Sequence, residues 1–261
     1  MMFRNMPRVI YKNNQIVNVV CQLRFPAILS IGTKQPDDFQ EAIRRDFPRY
    51  ETKKEQPAPK IVNRGGVLAA EKQEPVINHC FLSEDGEWQI NLTSSFVALS
   101  SVSYTDWETF AGKLDRVLAE FSRIYEPAWF ERVGLRYVNA FSKDELGLQE
   151  RSWNELLQPA FVGLLDEEDV QDSDFLRCTQ DVEMKARGGC RVRIHTGPGM
   201  IRRRAVQEKT ARFILDLDVY MAGKVQPAYL TGALQTVHLN ADTIFRNAIT
   251  EELHDAMEPQ E

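Results

Sequence analysis

The stretch that decides the fold is Arg132-Val133-Gly134-Leu135-Arg136-Tyr137-Val138-Asn139-Ala140-Phe141. Apolar side chains at every second position are typical of a half-buried strand. Val17–Phe25 alternates in the same way, and Leu23-Arg24-Phe25 matches Leu135-Arg136-Tyr137 at an offset of 112 positions. The pattern therefore predicts the same opening strand twice in one chain.

The segments after each opening strand come in the same order. The first pass predicts a helix from Pro36, a charged loop at 51–60, a hairpin around Asp85-Gly86, a third strand, and a long helix, Tyr104–Tyr125, that begins with a capping box of Thr105 and Glu108. The second pass predicts a helix that begins at Ser152, strands at Phe175–Ala186, Arg191–Thr196 and Thr210–Met221, and a final helix at Tyr229–Met257.

These two passes predict an α+β protein built from two similar β-α-β-meander-α halves, residues 1–128 and 129–261. Each half would be an antiparallel sheet backed by helices. Because an opening strand must pair with a neighbour, we expect the halves to join into one continuous saddle-like sheet and one compact unit. This architecture resembles that of the TATA-binding protein.

Composition excludes several classes of protein. Of the 261 residues, 43% are hydrophobic, and no run reaches the roughly 18 apolar residues of a membrane span, so we expect a cytoplasmic protein with no membrane partner. The four cysteines have no C-x-x-C spacing and are interpreted as reduced packing residues. Because nucleotide-binding, metalloprotease and hydrolase motifs are absent from the sequence, we expect no cofactor and favour a protein that is not an enzyme.

Charge is segregated along the chain, although the net charge is only −6. The segment Lys185–Arg212 contains nine Lys/Arg and one acid, Glu208, whereas six acids lie between Asp166 and Asp174. Such segregation indicates that the basic segment faces either an acidic partner or an acidic part of the same chain.

The basic segment supplies the main candidate binding site. Arg191, Arg193 and His195 alternate with apolar residues and so share one sheet face, and a basic loop at 197–210 follows with Arg202, Arg203 and Arg204. Arginines in this arrangement are suited to an acidic protein or to the phosphates of a nucleic acid. The alternative is a solvated face that is neutralised by ion pairs within the chain.

Asp216 and Asp218 share the polar face of their strand and suggest two further hypotheses. Together with His195 they could hold a metal ion, as in a metal-assisted nuclease or hydrolase. A simpler use is cross-strand ion pairing with Arg191 and Arg193. A different alternative is a structural subunit that forms a homo-oligomer or hetero-oligomer through an open sheet edge.

The signature strand carries four further candidate residues. Arg132, Arg136 and Asn139 are interpreted as structural, because polar groups on a central strand must be paired. Gly134 is interpreted as a position that permits the close approach of a strand or helix.

Five stretches together resemble a sporadically distributed bacterial protein family, and they span nearly the whole chain. They are Tyr11-Lys12-Asn13, Tyr104–Phe110, Arg132–Asn139, Ile214–Val219 and Leu239–Leu253. The resemblance implies no defined activity. The patchy distribution of the family suits an accessory gene, such as one in a phage-defence or toxin–antitoxin-like locus. The basic segment and the lack of a catalytic motif favour a non-enzymatic binding protein.

Overall fold

The computed structural model describes residues 3–56, 59–64, 67–71, 73–167, 169, 171–203, 206–207 and 210–260. The strands, in chain order, are β1 Ile10–Tyr11, β2 Ile16–Arg24, β3 Arg49–Glu55, β4 Lys60–Arg64, β5 Val67–Glu71, β6 Val76–Leu82, β7 Trp88–Leu92, β8 Phe96–Ser101, β9 Phe130–Phe141, β10 Gln180–Lys185, β11 Arg191–Gly199, β12 Arg202–Arg203, β13 Val206–Gln207, β14 Arg212–Val225 and β15 Pro259–Gln260. The α-helices are α1 Leu29–Thr33, α2 Asp37–Ile43, α3 Trp107–Tyr125, α4 Lys143–Leu146, α5 Trp153–Leu156, α6 Pro159–Val162, α7 Leu230–Ala248 and α8 Glu251–Ala256.

Within the described residues, nine strands form one antiparallel sheet in the order β10-β11-β14-β9-β2-β8-β7-β6-β3. The two opening strands, β2 and β9, lie side by side at its centre, with Cys21 opposite Leu135 and Leu23 opposite Val133. The α+β class and the joining of the opening strands into one continuous sheet are thereby confirmed. The division at residues 128 and 129 stays a prediction.

The sheet has an approximate two-fold arrangement around the β2–β9 pair. Outward from the centre, β8, β7 and β6 occupy the positions that β14, β11 and β10 occupy on the other side. Gln22 lies directly opposite Gly134, and these residues are 112 positions apart, which is the offset between the two opening strands. Residues that are both opposite and equivalent lie on a two-fold axis, so the axis passes between Gln22 and Gly134.

One face of the sheet forms the hydrophobic core. Buried side chains of both halves belong to a single cluster. In the first half, Phe121 of α3 packs 5.0 Å from Phe25, measured between ring centroids, and in the second half Phe245 of α7 packs 6.2 Å from Phe141. Helices α3 and α7 therefore follow equivalent strands and cover the same face of the sheet.

Helix α3 begins one residue later than the predicted capping box requires. Asp106, and not Thr105, is the N-cap, and its Oδ1 accepts a hydrogen bond of 2.7 Å from the Thr109 backbone N–H. Thr105 donates its hydroxyl hydrogen to the Asp106 carboxylate at 2.9 Å. The predicted role of Thr105 is therefore wrong, because an aspartate next to it supplies a stronger acceptor.

Three other element predictions differ from the structure. The charged stretch predicted as a loop at 51–60 instead begins within β3, an edge strand that is exposed on both faces and so lacks apolar alternation. The helix predicted from Ser152 is divided into α5 and α6, and the final helix is divided into α7 and α8. Leu157 follows α5 and Ile249 follows α7, and the two residues form an isolated β-bridge with each other. Both have an extended backbone, so this one bridge accounts for both divisions.

The start of the basic loop is also corrected. β11 continues to Gly199, with Gly197 opposite Ile214. Gly197 has a φ of 142°, and a Cβ at this position would lie 2.1 Å from the Cys178 carbonyl oxygen. Glycine is therefore required there by the close approach of backbone and not by a loop hinge. Beyond it, β12 pairs with β13 in the antiparallel sense.

The cysteines agree with the packing interpretation. All four are free thiols, and Cys21, Cys80 and Cys190 are buried. Burial raises the pKa of the Cys21 thiol to about 12, which keeps it protonated and unreactive. Of the helices that the structure describes, none combines the length and apolar composition needed to cross a membrane.

Candidate functional site

The face of the sheet opposite the core carries the predicted binding residues, and we call it the open face. Arg191, Arg193 and His195 of β11 are exposed or half-exposed, whereas the residues between them are buried, as the alternation predicts. The open face is defined here by the charged and imidazole side chains that point outward from the second half and the central pair of strands. They are Arg24, Arg132, Arg136, Asp181, Glu183, Lys185, Arg191, Arg193, His195, Asp216 and Asp218.

The strand register places acids between bases on this face. Asp218 of β14 lies between Arg193 of β11 and Arg136 of β9, and Asp216 lies opposite His195. Residues directly opposite in an antiparallel pair project to the same side. The prediction that the two aspartates and the β11 bases share one face is therefore confirmed.

The two aspartates of β14 form ion pairs with the signature arginines of β9. Arg132 Nη2 donates to Asp218 Oδ1 at 2.5 Å. Arg136 Nε donates to Asp216 Oδ1 at 2.7 Å, and its Nη2 also contacts the second oxygen of that carboxylate. Arg132 and Arg136 thus hold β9 and β14 together through charge-assisted hydrogen bonds.

The basic side chains of β11 instead contact carboxylates of the edge strand β10. Arg193 donates to Glu183 at 3.2 Å, and His195 Nδ1 lies 2.8 Å from the Asp181 carboxylate. The hydroxyl of Tyr220 and then the Arg193 guanidinium hold the pKa of Glu183 below its ordinary value. The predicted pairing of Arg191 and Arg193 with the β14 aspartates is therefore wrong, because those carboxylates are bonded to the arginines of β9.

The guanidinium of Arg132 occupies the space that Gly134 leaves vacant. A Cβ on Gly134 would lie 2.0 Å from Arg132 Nη1. In this position the guanidinium also stacks over the ring of Tyr220, with Cζ 4.6 Å from the ring centroid. Gly134 therefore permits a close approach, but the approaching group is a side chain and not a strand or helix.

We expect Gly134→Ala to lower the free energy of unfolding by about 1 kcal/mol, because the new methyl group displaces Arg132 from Asp218. Chemical denaturation measures this loss. In an Asp218→Asn background the same substitution should cost clearly less, since the ion pair is already weakened. An equal cost in both backgrounds would show that the methyl group acts through something other than Arg132.

Asn139 lies apart from the other signature residues. It is buried on the core face of β9, where its side-chain amide donates to the Leu215 carbonyl oxygen at 3.0 Å. This contact is the structural role predicted for it. The signature therefore divides between the two faces of one strand.

The arginines of the predicted basic loop are only partly described. Arg202 and Arg203 form the short strand β12, and Arg204 lies outside the described residues. The structure does not describe the side chains of Arg202, Arg203 and Arg204. Their contribution to partner binding therefore stays a prediction.

The geometry does not favour the metal-dependent alternative, which stays untested. Asp216 and Asp218 each accept hydrogen bonds from an arginine. In the described part of the chain, the group of three potential ligands that lies close enough for a metal ion is Glu251, His254 and Asp255. There, His254 Nδ1 already lies 2.7 Å from the Tyr11 hydroxyl.

Both edges of the sheet carry exposed charged residues. β3 includes Glu51, Lys53 and Glu55, and β10 includes Asp181 and Glu183. Charged side chains on an edge strand hinder pairing with another chain. The oligomeric alternative stays a prediction that these edges do not favour.

A comparison with models of protein families found no match, and a search of curated proteins found no significant relative. The resemblance to a bacterial family, and the accessory role that it implies, therefore stay predictions.

A cavity on the core side of the sheet was missed by sequence reasoning. It lies between the N-terminal segment, the start of α3, the middle of α7 and strand β9, and its volume is about 80 Å³. Tyr104, Tyr137, His238 and Asp242 contribute polar groups to its wall. These residues come from distant parts of the chain, and no local motif in the sequence indicated that they meet.

Proposed function

We propose that the protein is a non-enzymatic binding module whose open face engages an acidic segment of a partner protein. The observation that carries the proposal is a surplus of positive charge on this face in a chain with a net charge of −6. Helices α3 and α7 pack on the other face, which leaves the outward side chains of β11 exposed to a partner.

The surplus follows from the ion pairs. The open face has six Lys/Arg and four acids, which gives a net charge of +2 with His195 neutral. Within the described residues, each acid is bonded to one base, and Lys185, Arg191 and Arg24 are the cations beyond those pairs. An acidic segment lying along β11 would meet Arg191 and the neighbouring Lys185 of β10 without displacing the existing pairs.

The arrangement favours a protein partner over a nucleic acid. Acids alternate with bases across the face, so a uniform row of phosphates would meet carboxylates as well as arginines. A protein segment can place both signs of charge to match the pattern. Tyr220 also lies on this face, but its ring is buried beneath the Arg132 guanidinium and is not accessible for the base stacking by which single-stranded nucleic acids bind.

The proposal is tested by titrating the protein with a fluorescent polyglutamate peptide and, separately, with a DNA oligonucleotide of equal length and charge. We expect the double variant Lys185→Ser/Arg191→Ser to bind the peptide at least about tenfold more weakly than the unaltered protein. Binding should also weaken as salt increases, because the contact is electrostatic.

The matched control is Arg116→Ser/Arg123→Ser. These two arginines are exposed on α3, form exposed ion pairs, and change the net charge by the same amount. This control should bind the peptide as the unaltered protein does. Equal losses in both double variants, or binding of the DNA but not of the peptide, would refute the proposed partner.

A further inference from the structure

The cavity on the core side is built mostly from apolar and aromatic side chains. Its wall includes Val9, Ile16, Leu217, Ala241, Phe245 and Met257. Tyr104 and Tyr137 meet there edge to face, with ring centroids 5.4 Å apart. Concave sites with apolar walls and a few converging polar groups are where small organic molecules bind.

His238 is the first unusual polar group in this wall. Its ring is 4% exposed and stacks on Trp107 at a centroid distance of 4.3 Å. Nδ1 lies 3.1 Å from the Tyr137 hydroxyl, whereas Nε2 is buried with no hydrogen-bond partner in the described part of the chain. A buried ring nitrogen without a partner is costly and needs an explanation.

Asp242 is the second unusual group, one helical turn after His238 on α7. Its carboxylate lines the cavity, and no hydrogen bond to it is found among the described residues. Burial raises the pKa of Asp242 to about 6. An acid in this state is ionised at neutral pH but poorly solvated, so it gains strongly from a cation placed beside it.

The arginines near Asp242 are already engaged elsewhere. Arg8 donates to both carboxylate oxygens of Glu108, at 2.6 Å for the longer bond. Arg246 contacts the Tyr11 hydroxyl and lies 2.6 Å from His254 Nδ1. Neither guanidinium hydrogen-bonds to Asp242 in the described structure, so this carboxylate, unlike that of Asp106, which caps α3, has no hydrogen-bonding partner among the described residues.

We propose that this cavity binds a small molecule that carries a protonated amine on an apolar or aromatic body. The ammonium group pairs with Asp242, the body packs between Tyr104 and Phe245, and His238 Nε2 supplies one more hydrogen-bonding group. Of the charged residues of the wall, Arg8 is paired with Glu108 and Asp106 caps α3, so Asp242 is the carboxylate that can pair with a cation and that opposes an anionic ligand. The site is independent of the proposed contact on the open face, because it lies on the other side of the sheet.

Ligand-observed NMR and calorimetry on the full chain test this proposal with matched probes. The probes are phenethylamine, hexylamine and cyclohexylmethylamine, with phenylacetate as the anionic counterpart. We expect the amines to bind and phenylacetate not to bind. Asp242→Asn should weaken amine binding at least about tenfold, since it removes the charge and keeps the shape.

The control variant is Asp115→Asn, which removes an exposed carboxylate from α3 and should leave amine binding unchanged. Binding should also weaken as the pH falls through about 6, where Asp242 takes up a proton. The groups around Asp242 that enter this titration are Arg8, Asp106, Tyr104, His238, Tyr11 and Arg246. The proposal is overturned by tighter binding of phenylacetate, by unchanged affinity in Asp242→Asn, or by failure of all three amines to bind at millimolar concentration.

Discussion

Phe121→Ala and Phe213→Ala should each lower the free energy of unfolding by about 3–5 kcal/mol and should shift one and the same unfolding transition. Both rings are fully buried, one in each half. Phe121 packs on Phe25, and Phe213 packs 5.4 Å from Trp153, measured between ring centroids. Each truncation therefore leaves a cavity that the neighbouring rings fill only in part.

The single transition follows from the position of the β2–β9 pair. Unfolding either half removes the hydrogen-bonding partner of the other half's opening strand and exposes part of a shared core. Neither half is therefore expected to remain folded alone.

Guanidinium titration followed by tryptophan fluorescence and by far-ultraviolet circular dichroism measures both effects. Leu239→Ala is the control, because this α7 side chain is 48% exposed and its truncation should cost less than about 1 kcal/mol. Two separable transitions, with each phenylalanine affecting only one, would contradict the expected cooperativity.

The second large effect concerns the pH dependence of stability, to which Asp242 and His238 contribute with opposite signs. Burial raises the pKa of Asp242 to about 6, so the folded state binds this proton more tightly than the unfolded state does. The resulting stabilisation of the folded state is fully present below pH 4 and is lost as the pH rises through 6. Burial lowers the pKa of His238 to about 4, so its stabilising contribution is present above its ordinary value of 6.5 and is lost as the pH falls towards 4. Between pH 4 and 6 the two groups change the free energy of unfolding in opposite directions, so their effects on its pH dependence largely cancel.

Single substitutions should separate these contributions. We expect Asp242→Asn to be more stable than the unaltered protein by up to about 3 kcal/mol above pH 7, and to differ little below pH 4, because a shift of roughly two pKa units corresponds to that energy. In this variant stability should rise between pH 4 and 6.5. In His238→Gln it should instead fall with increasing pH over the same range.

Denaturation at a series of pH values checks both slopes. Asp115→Asn serves as the control and should follow the unaltered protein, since its side chain is exposed to water in the folded and unfolded states. If Asp242→Asn were destabilised at neutral pH, the carboxylate would have a stabilising contact in the protein that its burial does not indicate.

The fold was largely predictable because local sequence patterns indicate most of its strands. Alternation in Val17–Phe25 and in β9, and the Asp85-Gly86 turn, depend only on neighbouring residues, and each agrees with the structure. β3 was not recognised, because an edge strand exposed on both faces has no apolar period to detect. The divisions at Leu157 and Ile249 depend on a contact between residues far apart in sequence.

The residues that share the open face could be predicted from the sequence, but their ion-pair partners could not. Alternation showed that Arg193, His195, Asp216 and Asp218 share a face, and charge indicated that ion pairs would form there. Which base meets which acid depends on strand order and on register, and neither is visible in one sequence. The cavity depends on the meeting of segments more than a hundred residues apart, and so it had no local signal at all.

The axis between Gln22 and Gly134 has a consequence for how the two halves can vary. In a symmetric dimer of identical chains, any substitution beside the axis appears twice and must suit both copies at once. Here the equivalent positions are coded separately, so one carries glutamine and the other glycine. That glycine makes room for the Arg132 guanidinium, an arrangement that two identical glutamines at the axis would exclude. Because the equivalent strands belong to one chain, a single asymmetric ion-pair network can lie beside a nearly two-fold pair of strands.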